Sequence, residues 1–440
     1  MFLLAALTGT LSLVSSADIR TFLGAEPVGL FVVLCAIVAG IYALSEARAL
    51  ALIFNVLPCV FWIYFVPMLL ATFGLFPEKS PVYGLLTDYF LPASLFLLFL
   101  SASIPDILKL GRRTILVMLI ATASVMVGAA AGVLALLPFF KAGYLPTTHL
   151  ESLWKGVAAL SGSWIGGSAN MAAIWQSLTA GAQTDVEGQI FAAMVAVDVC
   201  VAYPWMALLI ALAGRQTQVN RWLHADSNRI EEVNKRMETI IQSQSRPAAT
   251  DKFLYMIALA FAAAFICKWL GTQAQSAFEA HVQSPLWRSV LGYYGVMIVL
   301  VTFVGLGLSL TPVAKLESYG ASKIGYALLF IVLARIGAKG NLNAIRESPA
   351  YLLMGVVWIL THGALLLFAA KRLRVPIFFV ATASQANIGG PVSAPVVAAA
   401  YQPSLAVVGL LMAIIGNILG TFGGLFVVAP MVHFLTGLIK

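Results

Sequence analysis

The chain has 440 residues, of which 61% are hydrophobic and only 10% charged. Soluble domains carry about 25% charged residues, so a water-soluble fold is excluded, and apolar runs of about 18 to 28 residues match what a helix needs to cross ~30 Å of hydrocarbon. The net charge of +8 comes from Lys and Arg placed between those runs, as in cytoplasmic loops of membrane proteins, without the basic face that nucleic-acid binding requires.

Residues 1–27 form an N-terminal apolar segment. Met1 to Ala17 has no basic n-region, so a signal-like segment, an interfacial helix and an extra span all stay open. Spans are predicted at 28–45, 50–74, 89–105, 114–137, 153–179 and 188–213, which make the first half, 28–213. Residues 214–251 are hydrophilic, with Ile230, Val233, Met237 and Ile240 recurring at helical spacing among charges, so an amphipathic linker helix outside the membrane is expected. The second half, 252–440, gives spans at 252–270, 288–310, 323–338, 349–370, 375–401 and 404–436. Cys35, Cys59, Cys200 and Cys267 are single and lie in apolar runs, which indicates neither a metal site nor a disulfide framework.

The halves look duplicated. Ser161 to Ala172 reads SGSWIGGSANMA and Ser384 to Pro395 reads SQANIGGPVSAP, so that at one offset Gly166-Gly167 meets Gly389-Gly390. Leu75-Phe76-Pro77 and Leu310-Thr311-Pro312 precede a further pair of similar stretches. The expected fold is an all-α polytopic membrane protein of about twelve transmembrane helices in two repeats, each with an interrupted helix. Six spans between equivalent helices make the repeats parallel, whereas transporters with broken helices commonly have inverted ones; the segment 271–287 is where the count is weakest, and polarity stays open. By this count the linker and 371–374 share one side, with Lys109/Arg112/Arg113 and Arg335/Lys339/Arg346 on the other. The linker side is then expected to be cytoplasmic.

Interrupted backbone in a membrane is tolerated only where protein or a water-lined cavity covers it, and paired interrupted segments point to a transport site. Breaking a helix exposes N–H groups that favour anions and C=O groups that favour cations. The substrate-binding candidates are therefore Ser163, Gly166, Gly167, Ser168, Asn170, Ser384, Gln385, Asn387, Gly389, Gly390 and Ser393, with Pro391 suited to restart a helix. Asp198 is an acidic residue well inside a span, where such groups mark ion or proton paths. Protonation or transient Na⁺ binding would neutralise it. Asn417 is its counterpart in the second half, and Asp198, Asn417, Asn170 and Gln385 form the candidate ion-coupling set. Arg335 and Lys339 share a helix face, to balance an anionic solute or to flank a span. His362 and His433 are packed or relay protons, and Trp154, Trp164, Trp175 and Trp205 are anchors or packing.

SGSWIGGSAN and ASQANIGGP, in that order, resemble the paired signatures of the YjcL-like family, bacterial and plastid multi-pass membrane proteins catalogued as a domain of unknown function. The likeness runs from about residue 28 to the C-terminus, with Asp198 and Gly416 to Thr421 also fitting. The family is grouped by remote similarity with cation:proton antiporters, bile-acid symporters and anion transporters. That resemblance implies a panel (dimerisation) domain and a core (transport) domain, in which two unwound helices cross at Gly166–Asn170 and Gln385–Gly390, and a homodimer in a bacterial inner membrane. One departure is Val199, where the family has Asn after the Asp.

The expected function is secondary active transport of a small polar or anionic organic solute, coupled to H⁺ or Na⁺, by elevator-like alternating access. No cofactor, resident metal or enzymatic activity is expected. A passive channel, and an intramembrane hydrolase using Ser163 or Ser168, are the alternatives; no Walker-type phosphate loop is present.

Overall fold

The computed structural model describes residues 15–50, 53–54, 59–179, 184–226, 230–231, 233, 249–340 and 348–438, and every regular element among them is helical. Residues 1–14 of the N-terminal segment, nearly all of the linker after Asp226, and Arg346 lie outside the described residues; Ser16–Ala25 is helical. Seven helices among the described residues are long and apolar enough to cross a membrane: α1 Pro27–Ser45, α3 Pro81–Leu100, α4 Arg112–Lys141, α7 Asp185–Ala213, α9 Thr250–His281, α12 Ser348–Leu373 and α15 Ala406–Gly437. An eighth, α10 Tyr293–Ser309, qualifies only together with Pro312–Tyr319, to which it is bent by 94°. Two shorter helices, α2 Cys59–Thr72 and α11 Ala321–Gly337, pack among them.

The two remaining expected spans are not spans. The first interrupted segment divides into α5 Thr147–Gly166 and α6 Ser168–Thr179, the second into α13 Ile377–Ile388 and α14 Gly390–Tyr401. A β-carbon on Gly162 would touch both Ile174 and Asn170, and one on Gly424 would touch Ile174 and the Ala158 carbonyl. Residue 174 therefore lies beside 158 and 162, whereas twelve residues of straight helix would carry it ~18 Å away. In the second segment Gln385 Nε2 donates to Ser393 Oγ at 2.8 Å, and the rings of Phe378 and Tyr401 are 6.4 Å apart. Each segment is a helical hairpin reversing at its glycine pair, not an unwound helix crossing another. The reason is local: Gly167 has φ +93° and Gly390 φ +64°, left-handed values that favour glycine.

This changes the side on which later segments emerge. A hairpin returns to the side it entered, so the Lys109/Arg112/Arg113 corner falls on the linker side and not opposite it. The packing agrees, since Ile107, Leu110, Leu223, Val233 and Val375 belong to one buried cluster. α8 Gln216–Leu223 docks there, where Asn220 Oδ1 accepts from the Ile377 amide at 2.8 Å and Lys371 lies over the Trp222 ring.

α4 and α12 run antiparallel in close contact. Trp358 Nε1 donates to the Val125 carbonyl at 2.7 Å, and β-carbons on Gly128 and Gly132 would meet Trp358 and Met354. α3 and α11 are also antiparallel, with Ser101 bonded to Glu317 and the Arg335 guanidinium over the Tyr83 ring. By contrast α5 and α7 are parallel: Lys155 pairs with Glu187, and Ser163 bonds Asp198. Gly128→Val would drive a branched side chain into the Trp358 indole and backbone, and is expected to lower stability by about 1–3 kcal/mol. Gly40→Val, with open space around it, is the control; thermal unfolding of the detergent-purified variants measures the difference.

Candidate functional site

The hairpin tips approach each other inside the bundle. A β-carbon placed on Gly390 would lie 3.5 Å from Gly167 Cα and 3.7 Å from the Gly166 carbonyl oxygen. Beside this contact is a cavity of about 190 Å³. Gly166, Gly167, Ser168 and Ala169 line it from the first hairpin, and Gly389, Pro391, Val392, Ser393 and Val396 from the second. Asn417 of α15, Tyr203 and Met206 of α7, Val60 of α2, and Tyr326, Leu329 and Phe330 of α11 complete the wall. The first-turn amides of α6 and α14 have no intrahelical acceptor, so two positive helix ends meet a chamber whose lining is otherwise uncharged and mostly apolar, with Tyr203, Tyr326 and Phe330 as its aromatic members.

Of the residues singled out in the sequence, Gly166, Gly167, Ser168, Gly389, Ser393 and Asn417 line this cavity. Gly390 forms the tip contact just described. The others lie behind the wall. Asn170 is 1% exposed and accepts from Thr421 Oγ1 at 2.6 Å. Asn387 is fully buried, accepting from Thr122 Oγ1 at 2.9 Å and donating to the Ala383 carbonyl at 2.9 Å. Both carboxamides therefore tie hairpins to neighbouring helices. Gln385 bonds Ser393 through Nε2, while its buried Oε1 has no hydrogen-bond partner among the described residues.

Asp198 is half-buried against the first hairpin, where its carboxylate accepts from Ser163 Oγ and Trp164 Nε1, each at 2.8 Å. Tyr203, five residues on, reaches the cavity. Ser384 takes part in a buried chain: Trp205 Nε1 donates to Ser384 Oγ at 2.9 Å, and His362 stands between Ser384 at 2.8 Å and Ser124 at 2.7 Å. Ser124 gives its proton to the Ala121 carbonyl, so it accepts from His362 Nδ1–H, which leaves Nε2 to accept from Ser384. Four helices, α4, α7, α12 and α13, are joined through His362 and Ser384. His433 packs edge-on to Trp154, and Trp164 edge-on to Trp358.

Arg335 and Lys339 line a separate, larger cavity of about 740 Å³. Val60, Tyr203, Met206, Tyr326 and Phe330 were not identified from the sequence; the Tyr203/Met206 spacing on the Asp198 helix was the available signal.

These features define a polytopic helical membrane protein in which each half contributes a glycine-tipped hairpin to one small cavity. The chain belongs to the family described as "Protein of unknown function (DUF819)", whose model matches residues 32–434. It is similar to the "Uncharacterized membrane protein YjcL" of Bacillus subtilis (strain 168), at 26% identity over 365 residues, covering 81% of this chain and 86% of that protein. The family expected from the paired signatures is thus the family found.

The tip geometry can be checked by stability. Gly390→Ala must hold a β-carbon at φ +64°, a left-handed cost of about 1–2 kcal/mol. Gly390→Asn is expected to lose less, because its short polar side chain tolerates that conformation. A ranking of Gly, then Asn, then Ala in melting temperature is the expected outcome; equal values would place the turn elsewhere.

Proposed function

We propose that this protein is a secondary active transporter, coupled to H⁺ or Na⁺, for a small polar or anionic organic solute. The observation that carries this reading is the meeting of two hairpin tips at one small cavity. In a soluble enzyme such tips would be unremarkable loops, but inside an apolar bundle they place unsatisfied helix ends around a space that needs a polar occupant.

Five spans and a hairpin in each half, α1 to α4 with α7 and α9 to α12 with α15, put an odd number of crossings between equivalents. The repeats are then inverted, in accord with the antiparallel pairs α4/α12 and α3/α11. The hairpins would enter from opposite faces and the cavity would sit near the bilayer centre. The solute's negative or polar group is held by the amides that start α6 and α14, with Ser168, Ser393 and Asn417 as side-chain partners. The body made of α4 to α7 and α12 to α15 moves against α1 to α3 and α9 to α11, so that the wall formed by Tyr326, Leu329 and Phe330 is exchanged as the cavity changes sides.

Asp198 couples the ion. Its carboxylate holds Ser163 and the Trp164 indole of the first hairpin; a proton or Na⁺ arriving there competes for the same oxygens and changes how firmly that hairpin is held. Gln385 Oε1 in the second hairpin is an oxygen available to a cation. The linker side, which gathers Lys109, Arg112, Arg113, Lys371, Arg372 and Arg374, is cytoplasmic by the positive-inside rule.

Asp198→Asn keeps a hydrogen-bond acceptor for one of the two donors and removes the titratable charge. It is expected to keep the unfolding temperature within a few degrees of the native protein while abolishing gradient-driven uptake in proteoliposomes under imposed ΔpH and ΔNa⁺. Undiminished coupled uptake in that variant, or flux in the native protein insensitive to both gradients, would overturn the assignment.

A further inference from the structure

At the linker end of the bundle, a groove of about 760 Å³ lies between α9 and the Pro312–Tyr319 segment. Lys252, Ala258, Leu259 and Ala262 line it from α9, spaced so that they share one side of that helix. Val313 and Leu316 line it from across the gap. The Pro312–Tyr319 segment is bent by 94° from α10, so it crosses the end of the bundle as a shelf instead of continuing through the bilayer. From Lys252 to Ala262 the groove runs about 15 Å along α9, the depth of one leaflet's hydrocarbon.

Two properties of this groove point to its occupant. Its wall is alanine, leucine and valine, which water solvates poorly, and the adjoining Phe253, Leu254 and Leu310 are exposed on the outside of the bundle. Its mouth carries Lys252 and the exposed Lys315. Two carboxylates lie close by. Asp251 pairs with Lys252 at 3.0 Å in an exposed contact, of a kind worth little in water. Glu317 is held by the hydroxyls of Ser101 and Ser322. Lysine stems lie along apolar surface while their ammonium groups reach the level of lipid headgroups. A second copy of the chain fits this face less well. A two-fold contact centred on the groove would bring the same lysines toward each other, and lysine is depleted at interface cores.

We propose that this groove binds a phospholipid with an anionic headgroup from the linker-side leaflet. The headgroup rests between Lys252 and Lys315, and an acyl chain lies along Ala258, Leu259 and Ala262. The groove shares no lining residue with the hairpin-tip cavity, and the proposal does not rest on the transporter reading. Bound there, the lipid bridges the start of α9 to the connection between α10 and α11. Because it binds the folded chain, stability rises with the anionic lipid content of the membrane.

The test uses dioleoyl phosphatidylglycerol and dioleoyl phosphatidylcholine, which share their acyl chains and differ in headgroup charge. Native mass spectrometry of the purified full chain counts the lipid retained after equal additions of each. Phosphatidylglycerol is expected to be retained about tenfold over phosphatidylcholine, since each lysine at headgroup level contributes severalfold. The double variant Lys252→Gln/Lys315→Gln is expected to bring that ratio near one. Ala258→Trp, at an exposed position in the groove, is expected to cut retention of both lipids. Lys141→Gln, an exposed lysine at the opposite end of the bundle, is expected to leave the ratio unchanged. In thermal unfolding, phosphatidylglycerol is expected to raise the midpoint and glycerol 3-phosphate, a soluble headgroup analogue, to leave it where it was. Equal retention of the two lipids by the native protein, a preference unaltered in the double lysine variant, or retention unaltered by Ala258→Trp would overturn the proposal. So would lipid that is lost whenever a dimer dissociates, which gives the face to a second copy, or equal stabilisation by glycerol 3-phosphate, which makes the site one for soluble anions. The native ratio needs no variant, so poor folding of a mutant does not remove the test.

Discussion

A backbone that breaks inside an apolar bundle must find partners for its N–H and C=O groups, and this constraint organises the rest of the molecule. At each tip the break is compressed into a single residue of left-handed backbone, Gly167 or Gly390, and the two breaks cover one another. Side chains would prevent this: a β-carbon on Gly166 would strike Asn170 and the Gly416 carbonyl, and one on Gly416 the Ile165 carbonyl. α15 therefore presses its own glycines against the first hairpin, and Asn417 is left facing the small space that remains.

Polar side chains around the tips fall into two groups by what they touch. Asn170, Asn387, Ser384 and His362 hold helices together, and each is bonded by a neighbour in another element. Ser168, Ser393 and Asn417 face the cavity instead. Asp198 stands between these groups, packed against the hairpin through two donors yet on the helix that also supplies Tyr203 and Met206.

The class of protein was legible from composition and run length, and the equivalence of the two glycine-pair motifs from their alignment alone. What those motifs do was only half legible. A segment such as 153–179 has the length and apolarity of a span, and a reversal at Gly167 leaves no trace in hydropathy because both arms are buried in protein. Only contacts across the hairpin, such as Gln385 with Ser393, distinguish folding back from running on. From that one misreading followed the even span count and the misplaced Lys109/Arg112/Arg113 corner. The bonds of the carboxamides were hidden for a different reason: an Asn in an apolar run is equally suited to a solute or to a threonine on the next helix, and Thr421 and Thr122 lie more than two hundred residues away in sequence from the groups they bond. The wall of Tyr326, Leu329 and Phe330 could not be read at all, since nothing in sequence sets these residues apart from the chain's other Tyr, Leu and Phe.

The pairing of α4 with α12 and α13 has a consequence for how the chain is made. Ser124 meets His362 across 238 residues and Thr122 meets Asn387 across 265. At a synthesis rate of about 5–20 residues per second, roughly 12 to 50 seconds separate the emergence of one partner from the other. Throughout that interval the newly inserted first half carries a seam of hydroxyls and bare glycines with no second half to receive it. Biogenesis therefore has to shelter an unfinished membrane intermediate, which makes the bilayer's insertion and quality-control machinery a participant in whether this fold is reached.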